Sequence, residues 1–271
     1  MQLTYFKNEN TNPLVEEYYE LILKESAIPF ESRILPIGNT AITYIFTPGQ
    51  KAIVKNKEIP LNKLTLSGIF YQSYKFVSTE FGSSFGCTLH PTALHKLLNI
   101  DVSKIKNKHI PLQDISIPFS EKLNIIFQNY QTPQSAVNDL EQLLNETPLT
   151  INQNTILIDK AIDLIRDSEG LINIDRILFE TKISQKTLET QFKKIVGITP
   201  GKYIRSFRFI KLLKKYENNE IDIKDLLYMY NYYDSSHFNK DFKLFMNESP
   251  TSFFKKDNVF IKKILKNQSL R

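Results

Sequence analysis

Ile183-Ser184-Gln185-Lys186-Thr187-Leu188 leads into Phe192-Lys193 and Gly197-Ile198-Thr199-Pro200, and fifty residues on the chain reads Asp234-Ser235-Ser236-His237-Phe238, Phe242-Lys243, Asn247 and Ser249-Pro250. Ser184 and Asp234 are residue types whose side-chain oxygens accept from the orphan amides of a following helical turn. Leu188 and Phe192, like Phe238 and Phe242, are four apart and so fall on one helix face. Gly197 and Asn247 are types that tolerate a left-handed helix end, and Thr-Pro or Ser-Pro then restarts a helix. Upstream, Ile174, Ile177 and Leu178 recur 49 residues later as Ile223, Leu226 and Leu227 with the same helical spacing. Each copy therefore reads as a helix, a tight turn and a second helix, which is a helix-turn-helix. A helix from Pro200 to about Tyr216 joins them, with Tyr203, Ile204, Phe207, Ile210 and Leu213 as its core contacts.

The residues between the apolar positions carry the functional reading. They are Gln185, Lys186, Glu189, Thr190 and Lys193 on the first candidate recognition helix, and Ser235, Ser236, His237, Asn239, Lys240 and Lys243 on the second. Such side chains hydrogen-bond base edges in a major groove or neutralise phosphates. Lys193, Lys194, Lys202, Arg205, Lys243, Lys255 and Lys256 are the candidates for backbone contacts. Charge is distributed to match: residues 1–154 hold 13 Lys+Arg against 14 Asp+Glu, whereas residues 155–271 hold 22 against 15. The whole basic excess thus sits in the C-terminal part, as an electrostatic footprint for a polyanion does. The bland reading of the same facts is a helical repeat with a solvated basic exterior.

At these residues the sequence resembles the DNA-binding domain of the AraC/XylS family of transcriptional regulators. The resemblance rests on Ile183 to Leu188, Phe192-Lys193, Gly197 to Pro200, Tyr203-Ile204 and Arg208, then on Asp234 to Phe238, Phe242-Lys243 and Ser249-Pro250, and spans roughly residues 156–256. It implies two recognition helices in successive major grooves of promoter or operator DNA, with Lys186, Glu189 and Thr190 reading bases from the first and Ser235, Ser236, His237 and Lys240 from the second. It also implies RNA polymerase as a partner, and an N-terminal sensor domain of cupin-like type that takes a small-molecule effector or pairs two copies of the chain. The family's usual alanine in each first helix is Leu178 and Leu227 here, and its usual turn glycines are Lys182 and Asn231. Lys182 then faces a costly left-handed backbone unless the turn differs.

The first hundred residues suit such a sensor. Arg33–Pro36, Ala41–Phe46, Lys51–Val54, Leu64–Tyr71 and Ser83–His90 read as short strands between turn formers, as in a small antiparallel barrel or sandwich. Phe46, Ile53, Leu66, Phe70, Tyr74 and Phe85 are candidates to line a ligand space, a filled core being the other reading. Helical patterns cover Pro91–Asn99, Pro118–Tyr130 and Gln134–Asn145, and the latter two either cover the barrel of their own subunit or pair two copies. The expected class is α+β with two domains: 1–150 as a cupin-like sensor or dimerisation domain, 155–257 as the DNA-binding domain, and 258–271 as a basic tail.

Several function classes find no support. His90, His95 and His109 lack the pairing of a cupin metal site, so no metal or other cofactor is expected. Cys87, the single cysteine, reads as a buried strand residue. No phosphate loop, nucleophile elbow or carboxylate pair argues for an enzyme. With 41% hydrophobic residues but no long apolar run and no secretory leader pattern, a soluble cytoplasmic protein without membrane contact is expected. The competing class is a small-molecule enzyme or carrier whose helical repeat binds protein. RNA binding ranks lower, because the exposed helix faces lack stacking aromatics. Activation and repression differ by where a site lies at a promoter.

Overall fold

The computed structural model describes residues 1–6, 12–217, 223–230, 232, 234–256 and 258–267. The N-terminal part is built from β1 (Gln2–Phe6), β2 (Val15–Leu23), β3 (Phe30–Ile34), β4 (Thr40–Ile45), β5 (Gln50–Val54), β6 (Lys57–Pro60), β7 (Lys63–Ser67), β8 (Tyr74–Ser78), β9 (Gly82–Leu89) and β10 (His109–Pro111). They form a six-stranded sheet in the order β1-β2-β9-β4-β7-β10 and a four-stranded sheet in the order β3-β8-β5-β6. Every pairing between them is antiparallel. Of the two expected forms, barrel or sandwich, the structure has the sandwich: the two sheets do not join into one closed ring.

The larger sheet uses its two faces differently. One face, carrying Tyr18, Ile42, Leu66, Phe85, Cys87 and Leu89, packs under α1 (Ala93–Leu98), α2 (Ile117–Gln128) and α3 (Pro133–Glu146) as one apolar core. Leu123, Phe127, Val137 and Leu140 supply the helical side of that core. Helices α2 and α3 thus cover their own subunit's sheet along this stripe. Cys87 is part of this packing, and burial pushes its thiol up to about 12, so it stays protonated.

The C-terminal part is helical: α4 (Gln153–Asp167), α5 (Ile174–Thr181), α6 (Gln185–Val196), α7 (Pro200–Glu217), α8 (Ile223–Met229), α9 (Ser235–Met246), α10 (Pro250–Phe254) and α11 (Val259–Asn267). Helix α7 is buried on nearly every side, because its two ends serve different cores. Tyr203, Ile204 and Phe207 join Ile158, Ile162, Ile177, Leu188 and Phe192 around the first unit. Phe209, Leu212 and Leu213 join Phe238, Phe242, Phe245 and Phe253 around the second. The second core also takes in Leu21, Leu23, Leu35 and Phe76 from the sheets, so the two halves of the chain share apolar packing. Within the stretch expected as a basic tail, α11 lays Phe260, Ile261, Ile264 and Leu265 into this shared core.

Candidate nucleic-acid interface

In the first unit, α5 ends at Lys182, whose amide donates to the Leu178 carbonyl at 2.8 Å. The backbone there is left-handed, with φ 56° and ψ 31°, as the lysine in the place of a glycine required. An L-residue with a Cβ pays for this conformation and glycine does not. Lys182→Gly is therefore expected to stabilise the protein by about 0.5–1 kcal/mol, after the glycine's greater freedom in the unfolded chain is deducted. Chemical denaturation checks this; an unchanged or lower midpoint contradicts it. The equivalent Asn231 lies outside the described residues.

Ser184 caps α6, its Oγ accepting from the Thr187 amide at 3.1 Å, and Asp234 caps α9, its Oδ1 accepting from the His237 amide at 2.7 Å. Gly197 and Asn247 close the two helices in left-handed conformation, at φ 103° and 55°. Caps and closures thus recur at an offset of fifty, and the two helices present equivalent positions: Gln185 with Ser235, Lys186 with Ser236, Glu189 with Asn239, Thr190 with Lys240, Lys193 with Lys243.

Those ten residues are all exposed. Leu188, Phe192 and Ile195 of α6, and Phe238, Phe242 and Phe245 of α9, are buried on the opposite side. Gln185 Nε2 donates to Glu189 Oε1 at 3.0 Å, which occupies part of the one acidic group on the first face. His237 is half-buried and lies edge-on to the Tyr232 ring, 5.1 Å between centroids.

Arg205 is placed differently from the other candidates. Its Nε donates to Asp241 Oδ1 at 2.9 Å, and its Nη2 also contacts that oxygen. Tyr232 donates its hydroxyl to the other carboxylate oxygen at 3.1 Å, and Asp241 is fully buried. Arg205 therefore ties α7 to α9 rather than standing free on the surface. Of the remaining lysines, Lys193, Lys194 and Lys255 are exposed, Lys202 lies over the Tyr71 ring at 5.5 Å, and Lys256 pairs with Glu248 at 2.5 Å.

Sequence reasoning did not find what holds this interface against the N-terminal sheets. The loop from Ile69 to Ser73 touches the C-terminal ends of both recognition helices. Ile69 packs in the core of the first unit, where a Cβ on Gly197 would come within 2.7 Å of its Cγ2. At the second unit the Ser73 amide donates to the Phe245 carbonyl at 2.6 Å, Gln72 Nε2 to the Leu244 carbonyl at 3.1 Å, and Asn247 Nδ2 to the Ser73 carbonyl at 2.8 Å. Arg33 and Glu248 add an ion pair at 2.8 Å. Also missed were Phe179 of α5 and Tyr228 of α8, 49 residues apart and 72% and 85% exposed. The repeat register itself was the signal that pairs them.

Between the two sheets lies a cavity of about 170 Å³. Phe70 and Tyr74 line it, as expected, but Leu66 and Phe85 belong to the other core, under α2 and α3, and Phe46 packs against that core. Ile53 is not among its walls. Among the described residues no three His, Cys, Asp or Glu side chains are grouped to hold a metal ion, and no helix is long and apolar enough to cross a membrane.

Comparison with known proteins separates the halves in the same way. Residues 179–256 match a family described as a helix-turn-helix domain, and residues 9–111 match a domain of unknown function, DUF6597. The HTH-type transcriptional activator RhaS of Escherichia coli is 30% identical over 79 residues, which cover 29% of this chain and only 28% of RhaS. Among solved structures, ToxT from Vibrio cholerae O395 is 16% identical, covering 88% of this chain and 95% of ToxT with a TM-score of 0.47. ToxT from Vibrio cholerae strain SCE256 with an unsaturated fatty acid bound is 19% identical, covering 91% of this chain and 96% of ToxT with a TM-score of 0.45.

Proposed function

We propose that the chain is a regulator of the AraC/XylS type, which binds duplex operator DNA with α6 and α9 in adjacent major grooves and regulates transcription there; the helix-turn-helix match and the likeness to RhaS support this. The observation that carries this reading is the pair of capped helices with equivalent polar faces, seated on opposite ends of the single helix α7. Two half-sites on one DNA face suit that arrangement, because a groove recurs every 10 to 10.5 base pairs. The helix-turn-helix match and relatives named as transcriptional activators support a regulator over an enzyme. Matched relatives are named as activators, which favours activation through RNA polymerase at a promoter. A cytoplasmic location accords with a chromosomal DNA partner. The N-terminal sandwich, with its cavity, is the place for a small-molecule effector; a second copy of the chain is a further partner for surfaces left outside the α2–α3 stripe.

Within that reading Lys186, Glu189 and Thr190 of α6 and Ser235, Ser236, His237, Asn239 and Lys240 of α9 read bases, with Gln185 adjoining them. Lys193 and Lys243 meet phosphates. Selection of bound sequences from a randomised duplex pool tests it. Lys186→Ala is expected to relax preference at one base position by about 1–3 kcal/mol while leaving the rest of the site unchanged. An unaltered ranking of every sequence removes Lys186 from the base-reading set, and no enrichment by the wild-type chain removes the proposal.

A further inference from the structure

The cavity between the sheets has a polar inventory that its size and apolar walls do not explain. Two buried side-chain atoms without a hydrogen-bond partner, Asn39 Oδ1 and His109 Nε2, belong to residues that line it. Buried polar atoms in native proteins are nearly always paired, so an unpaired set gathered on one cavity marks groups that its contents satisfy. Asn39 Oδ1 only accepts, and so requires a donor. His109 is already fixed by Ser67, whose Oγ lies 2.9 Å from Nδ1, leaving Nε2 for the cavity. Burial brings the His109 ring down to about 4, so it is neutral near pH 7 and offers no positive charge.

The charged groups narrow the ligand further. Among the described residues, no lysine or arginine lines the cavity. Glu17 does line it, is buried, and already has an interaction partner. A carboxylate placed here meets no fixed cation and one acidic side chain. A ligand cation meets a carboxyl group already engaged elsewhere. The rest of the wall is apolar, including Leu21, Ile45 and Phe76. A volume of about 170 Å³ slightly exceeds the roughly 150 Å³ cavity that accepts benzene, which limits the occupant to about one ring with a small substituent.

One wall of the cavity does not come from the sheets. Phe260 and Ile264, one turn apart on α11, close it, and the Phe260 ring stands edge-on to Phe30 at 5.6 Å. Helix α11 packs on β3 and on α7, the helix on which both recognition units are seated. An occupant of the cavity therefore touches the helix that leans on the DNA-binding core.

We propose that this cavity binds an uncharged, ring-sized molecule bearing a hydrogen-bond donor such as a hydroxyl or primary amide, and that α11 transmits its presence to α7. The proposal rests on the effector reading given above and names the ligand class and the contact that reports it.

Thermal denaturation of the full chain with benzyl alcohol, benzamide, benzoate and benzylamine, each titrated to saturation, tests the assignment. Benzyl alcohol or benzamide at ten times its Kd is expected to raise Tm by about 3 °C, and the two charged probes to leave it unchanged. Asn39→Leu removes the unpaired amide oxygen and nearly keeps the volume, so the ligand-free variant is expected to melt no lower than wild type while its affinity for benzyl alcohol falls several-fold. Ile264→Trp, which fills the cavity from α11, is expected to abolish the shift; if that variant fails to fold, Asn39→Leu carries the test alone. The same titrations read against a selected operator duplex are expected to change its affinity in wild type and not in Ile264→Trp.

Benzoate or benzylamine binding in preference to both neutral probes overturns the ligand class while leaving an effector site in place. Binding of a neutral probe with no change in operator affinity overturns the transmission through α11 and the effector reading together. If no probe binds, the cavity assignment falls, whatever the DNA measurements show.

Discussion

Asp241→Ala is expected to cost the protein about 3 kcal/mol and to uncouple the second recognition helix from the first. Asp241 is fully buried on α9 and accepts from Arg205 of α7 on one oxygen and from Tyr232 on the other. Breaking a buried ion pair by deleting one partner typically costs 3–5 kcal/mol, because the surviving group is left desolvated and unpaired. Here the lower end applies, since the Arg205 side chain is 40% exposed and recovers water in part. The Tyr232 hydroxyl, on a buried residue, recovers little and adds the cost of an unmet donor. In a chain of this size that loss lowers Tm by roughly 6 °C. Asp241→Asn keeps an acceptor in place and is expected to lose about half as much. Arg205→Ala separates the two roles open to that residue. A lower denaturation midpoint with an unchanged salt dependence of DNA binding identifies it as the tie between α7 and α9; a shallower salt dependence with unchanged stability returns it to the phosphate contacts.

Replacing Lys193 and Lys243 together by alanine is expected to weaken operator binding about thirty-fold at 0.15 M salt. The two lysines are exposed, occupy equivalent positions in the last turns of α6 and α9, and are the basic pair that recurs on both exposed faces. Each phosphate contact contributes a slope of about −0.9 to the dependence of log K on log salt concentration. Loss of two contacts therefore flattens the slope by about 1.8, and curves that converge near 1 M salt are separated by about 1.5 decades at 0.15 M. The order of preferred sequences is expected to persist, because these contacts position the protein and carry no base information. Titrations at four or more salt concentrations measure both quantities. An unchanged slope moves these lysines off the phosphate backbone.

The elements that were legible in the sequence are those whose causes are local. Ser184 and Asp234 begin helices through hydrogen bonds to amides three residues on, Gly197 and Asn247 end them, and the apolar stripes at four-residue spacing need no distant partner to be recognised. Lys182 shows the same logic under strain: the short turn demanded a left-handed residue, and lysine adopts it. Strand β2 was not legible because Val15 to Leu23 carries Glu16, Glu17 and Glu20, and a strand with a buried glutamate does not alternate as a half-buried strand should. The tie from Arg205 to Asp241 was not legible because that partner is 36 residues away, on a different helix. The cavity walls were equally hidden: Asn39 and His109 come from separate strand ends, and Phe260 and Ile264 come from the far end of the chain.

The Ile69–Ser73 loop has a bearing on how this protein can be re-engineered. Because it seats the Gly197 end of α6 and the Phe245–Asn247 end of α9, the placement of the two helices on α7 is braced from outside the module that contains them. A chimaera that keeps everything after residue 150 but takes a foreign sensor would lose that brace and expose Leu212, Phe245 and Phe260 where the original sheets had shielded them. Grafts of this module therefore need to carry the loop and its supporting strands with them.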